Sequence, residues 1–111
     1  MRPKSPSKLS IVFSALGDET RLHLVSRLRT GGEQSISELS NGLAVSRQGV
    51  TKHLRVLEDA GVVVCEKVGR EQRFQLRAET LEGARDYLAR ASGQWDDAIE
   101  RLKAKVESPE D

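Results

Sequence analysis

Covalent and metallic staples are nearly absent from this chain of 111 residues. A single cysteine, Cys65, rules out a disulfide within it. No stretch resembles a signal peptide or an apolar span able to cross a bilayer, so the expected compartment is a reducing cytoplasm. The only histidines, His23 and His53, are scattered, and two separated imidazoles make no metal signature. No Ser/His/Asp or Cys/His constellation and no phosphate-binding glycine loop is present, which removes the usual grounds for an enzyme. No cofactor is expected. Aromatic residues make up 4% of the sequence, which suits a small helical domain with an aliphatic core. Charge of one sign is lacking too: the formal net charge is +1. That total excludes nothing, because nucleic-acid binding needs a local basic surface and not a basic average.

What is there centres on the run Ser46-Arg-Gln-Gly-Val-Thr-Lys-His-Leu-Arg-Val-Leu-Glu-Asp-Ala-Gly61. Ser46 suits a helix N-cap and Gly61 a helix stop. At 100° per residue, Val50, Leu54 and Leu57 share one side with His53 at its edge, while Gln48, Thr51, Lys52 and Arg55 share the other. Aliphatic anchors beneath Gln, Thr, Lys and Arg suit a major groove: Gln pairs with adenine edges, Arg with guanine or phosphate, Lys and Thr with phosphate or base. A plain solvated face is the commoner fate of such a pattern, so the flanking elements decide.

Residues 1–7, with Pro3 and Pro6, read as a flexible N-terminal arm, and residues 107–111 as an acidic tail. A first helix carries Leu9, Val12, Phe13 and Leu16. After Gly17, Asp18 caps a second with Leu22, Val25 and Leu28 inward and Leu24 flanking. Ser35-Ile-Ser-Glu38 has capping-box spacing and opens a short third helix. The Ser46 helix follows after a brief turn, which is the helix-turn-helix plan. Val62–Val68 and Gln72–Leu76 then read as a β-hairpin with Lys67, Arg70 and Arg73 at or near its tip, a wing whose cations suit DNA backbone. The expected fold is mainly α with a small β-hairpin: a winged helix-turn-helix core over 8–80 and a terminal helix over 81–106. On that helix Leu81, Ala84, Leu88, Ala91, Trp95, Ile99, Leu102 and Val106 step by three or four. So long a stripe exceeds what a small core can cover, and a second copy of the chain is the expected partner, with Phe13 and the first helix joining the interface.

In this order, Ala15–Leu28, Ile36–Leu39, Val45–Val62 and the Gly69-Arg70 wing resemble the ArsR family of winged helix-turn-helix repressors, a likeness covering about residues 9 to 106. The resemblance implies a homodimer that binds double-stranded DNA at a near-palindromic operator and is released by an inducing signal. Ser46, Arg47, Gln48, Thr51, Lys52 and Arg55 match the family's DNA-reading segment. Its metal sites are not matched. Ser35 and Ser37 stand where one site has a Cys-x-Cys pair, and hydroxyls are poor ligands for soft ions. Another site uses Asp and His on the terminal helix; the pattern would begin at Asp86, but Leu88, Ile99 and Leu102 occupy the remaining places.

Other readings stay open from the residues alone. A winged helix can serve as a protein-interaction module without DNA. Cys65, among valines, reads as a small buried hydrophobe, the sharper alternative being a thiol-based redox sensor. His53 reads as a half-buried packing residue, and Trp95 as dimer packing, with the wall of a small-molecule pocket as its alternative.

Overall fold

The computed structural model describes residues 8–107. The arm expected over 1–7 and the acidic tail after Glu107 lie outside them, and Glu107 itself ends the last helix. In chain order the elements are α1 (Lys8–Leu16), α2 (Glu19–Gly31), β1 (Gln34–Ser35), α3 (Ile36–Ser40), α4 (Arg47–Asp59), β2 (Val63–Val68), β3 (Glu71–Leu76) and α5 (Ala78–Glu107). This is the expected winged helix-turn-helix with one addition. The hairpin is part of a three-stranded antiparallel sheet, order β1-β3-β2, in which Gln34 and Ser35 pair with Phe74 and Arg73. Two residues are too few to show an alternating pattern, so β1 is invisible to periodicity.

Local chemistry sets the boundaries. Asp18 caps α2, its carboxylate accepting from the Arg21 N–H at 3.0 Å. Ser35 and Glu38 form a complete capping box: the Glu38 N–H donates to Ser35 Oγ at 3.2 Å and the Ser35 N–H to Glu38 Oε1 at 2.8 Å. Ser46 caps α4 through the Gly49 N–H at 3.0 Å. At the other end Gly61 takes φ 81°. Its N–H bonds the Glu58 carbonyl, and the Val62 N–H bonds the Leu57 carbonyl, both at 2.9 Å. That paired closure turns the chain into β2 with Leu57 and Val62 both buried.

The core takes Val12 and Ala15 from α1, Leu24 and Leu28 from α2, Leu39 from α3, Val50, Leu54 and Leu57 from α4, and Val62, Val63, Phe74 and Ala84. The α2 stripe differs from expectation: Leu24 is buried and Leu22 is 52% exposed. Residues six apart on a helix point about 120° from each other and residues four apart about 40°. Leu22 and Leu28 therefore cannot share a face as Leu24 and Leu28 do.

The terminal helix begins at Ala78, earlier than the expected start at Leu81, and runs 30 residues. Its start packs on the domain through Leu81 and Ala84, and Phe13 of α1 meets Tyr87 with ring centroids 5.9 Å apart. Beyond that the helix carries its apolar residues in the open. Trp95 is 66% and Leu102 61% exposed.

Candidate nucleic-acid interface

The hydrophobic effect has no direction, so burying Val50, Leu54 and Leu57 fixes which side of α4 faces in and thereby which faces out. Gln48, Lys52 and Arg55 are exposed on that outer side, while Arg47, seven residues before Leu54 and so near its stripe, is exposed at the start of the helix. Thr51 sits differently: it is half-buried, and its hydroxyl donates to the Arg47 carbonyl at 2.9 Å, leaving only lone pairs for a ligand. Ser46 Oγ is engaged as the cap acceptor and keeps its own proton to donate.

The wing closes tightly, with Val68 opposite Glu71 and only Gly69 and Arg70 between. Gly69 has φ 63° and Arg70 does not share its positive φ, the pattern of a type II′ hairpin turn with glycine first. The turn presents Arg70 to solvent next to exposed Lys67. Between wing, α3 and the start of α4 lies a cleft of about 310 Å³ whose walls include Arg47, Lys67 and Arg70. The structure thus brings together cations from α4 and the wing that are far apart in sequence. Ser37 and Gln72, also on this cleft, were not singled out from sequence; Ser37 drew notice only as a missing thiol.

Arg73 is not at the tip. It stands within β3 opposite Glu66 and, on the other edge, Ser35. Its guanidinium is held by Glu71 at 2.9 Å, Glu38 at 3.4 Å and Glu33 at 3.9 Å. The hydrogen bond to Glu71 is the first cause raising its pKa above the ordinary arginine value. The pairing of β3 with β1 carries Arg73 across the sheet toward carboxylates of the α2–α3 segment.

Of the residues assigned to a subunit interface, Leu88, Trp95, Ile99 and Leu102 are exposed along α5 and Ala91 is half-buried. Phe13 is half-buried and meets Tyr87 of its own chain. Cys65 is half-buried, and burial, followed by Glu58, pushes its thiol up against the opposing pull of Arg55. A reactive sensor thiol needs the opposite shift. Among the described residues no group of three or more His, Cys, Asp and Glu is arranged to hold a metal ion, and no helix is long and apolar enough to cross a membrane.

A capped helix pair with a polar, cationic second helix, flanked by a basic hairpin, defines a winged helix-turn-helix DNA-binding protein. Residues 16–66 match the family described as a helix-turn-helix domain. The chain is 38% identical over 77 residues to the uncharacterized HTH-type transcriptional regulator YuzN of Bacillus subtilis, covering 64% of this chain and 84% of that one. It is 36% identical over 87 residues to the HTH-type transcriptional regulator Rv2034 of Mycobacterium tuberculosis, covering 78% of each. Among solved structures, the ArsR-like transcriptional regulator from Rhodococcus sp. RHA1 matches with a TM-score of 0.71 at 39% identity, over 91% of this chain and 94% of that one. The chain belongs to the ArsR family of transcriptional regulators.

Proposed function

We propose that the protein is a homodimeric repressor that grips near-palindromic operator DNA and does not take a metal ion as its signal. The observation that carries this reading is the outer face of α4, where Gln48, Lys52 and Arg55 stand exposed over three fully buried aliphatic anchors, with Arg47 exposed at the start of the helix. Ser46 and Thr51 flank that face, and Lys67 and Arg70 extend it onto the backbone beside the groove. Arg73, tied to three carboxylates, is left out of the contact set. The exposed apolar stripe of α5 supports pairing of two copies, which would set half-sites about one helical turn, or a multiple of it, apart. Metal sensing at the third helix has little support, since Ser35 Oγ is already spent on capping α3.

Selecting duplexes from a random library and footprinting the winners tests the reading. Gln48→Ala and Arg55→Ala should each cost about 1–3 kcal/mol and blur the preference at the bases they touch. Unchanged sequence preference in both variants would remove α4 as the reading helix.

A further inference from the structure

One polar cluster is used neither by the groove-facing surface nor by the core. It lies where the end of α1 and the start of α2 meet the back of α4. Arg21 donates from Nε to the Ala15 carbonyl at 2.6 Å, and its Nη1 lies 3.1 Å from Nδ1 of His53 on the recognition helix. A guanidinium has no acceptor, so this contact is a hydrogen bond only if His53 Nδ1 is bare and the neutral ring carries its proton on Nε2. Asp18 Oδ2 stands 3.8 Å from the same nitrogen. That is beyond hydrogen-bond reach, but the Asp18 carboxylate is held below the ordinary range, first by the Arg21 backbone N–H, and so stays charged.

We propose that Arg21, His53 and Asp18 form a proton-operated latch that sets the pose of the recognition helix. Val50, Leu54 and Leu57 fix the depth of α4 without direction, whereas the Arg21–His53 bond is directional and ties the helix to both α1 and α2. When Nδ1 takes a proton, the ring can no longer accept from Arg21. Two cations then face each other, and the new N–H turns to Asp18, the carboxylate beside it. The ionisable groups facing the ring from neighbouring elements are Asp18 and Arg21. α1 adds only the Ala15 carbonyl, its one ionisable side chain, Lys8, being at its far end. On α4 the adjacent Lys52 is exposed on the outer side. Acidification therefore loosens α4 and weakens operator binding. His53 and Arg21 act as positioning residues, not as base readers. The latch rests on the proposed DNA-reading role of α4.

The test uses the full chain carrying His23→Gln, so that His53 is the one histidine left. Nitrogen NMR of the imidazole at about pH 8, above the usual range of histidine titration, should show the proton on Nε2 alone, and adding Arg21→Gln should give a mixture of tautomers. A proton already on Nδ1, or a tautomer indifferent to Arg21→Gln, overturns the latch whether or not DNA is bound. Affinity for a duplex selected at that pH should fall about tenfold on going to about pH 6 at constant ionic strength. The His53→Gln variant, whose amide oxygen still accepts from Arg21 but cannot titrate there, should change less than about twofold over the same span. Equal pH dependence in the two proteins overturns the latch. Failure to select any duplex would instead count against the DNA-binding reading, leaving the tautomer measurement to judge the latch.

Discussion

Trp95 is the only tryptophan in the chain, and it sits in the middle of the exposed stripe on α5 at 66% exposure. A tryptophan side chain can bury up to about 250 Å², so about 165 Å² per protomer is open for a partner to cover. If a symmetric interface covers half of it, the gain at ~25 cal/mol per Å² is about 2 kcal/mol per protomer, or about 4 kcal/mol per dimer. Trp95→Ala should then raise the dissociation constant about a hundredfold to a thousandfold, since about 1.4 kcal/mol corresponds to tenfold. Trp95 contributes nothing to the buried core of its own protomer, so helix content by circular dichroism should be preserved. Sedimentation velocity across a dilution series measures the association, and Trp95 fluorescence reports the same event from within: emission should shift to the blue as concentration rises. A protomer mass at all concentrations, with emission fixed at the wavelength of solvent-exposed indole, would refute the argument that the stripe is covered by a second copy.

The remaining predictions concern the two halves of the reading unit. Leu54→Ala should destabilise the fold by about 2–5 kcal/mol in thermal or denaturant unfolding, because the side chain is fully buried beneath the recognition helix. Arg70→Ala should weaken binding to all duplexes alike and reduce the salt slope by about 1, whereas Arg73→Ala should leave that slope unchanged and lower stability, since it strands Glu33, Glu38 and Glu71. Glu38 has its pKa lowered, first by the Ser35 N–H and also by Arg73. Its contribution is therefore complete above the ordinary carboxylate value of 4.5 and drains away as pH falls from there through the lower folded value. Melting temperatures of Glu38→Gln, followed across that acid window, should decline less steeply than those of the parent.

The features read correctly from sequence are those whose physics is local. A cap needs a side-chain oxygen within three residues of the N–H it serves, so Asp18, the Ser35–Glu38 pair and Ser46 were visible as spacings. The outward set Gln48, Lys52 and Arg55 followed from helical geometry once Val50, Leu54 and Leu57 were placed inward. Leu22 shows where that reasoning frays: four aliphatics on one short helix allow two overlapping stripes, and only the neighbours decide which is buried.

The pairings that the sequence does not show share a different physics. Arg73 meets Glu38 across 35 positions and Arg21 meets His53 across 32, distances over which no periodic pattern carries information. Both pairings are created by tertiary approach, the first by β1 adding itself to the wing, the second by α2 crossing behind α4. Each takes a cation that sequence alone would leave free and gives it a fixed partner. Arg73 is thereby paired with carboxylates beside the basic surface, and Arg21 is attached to α4 from behind. The electrostatics of this face thus depend on which arginines the fold consumes, so a count of basic residues near α4 and the wing overstates the cations left exposed there: Arg47, Lys52, Arg55, Lys67 and Arg70.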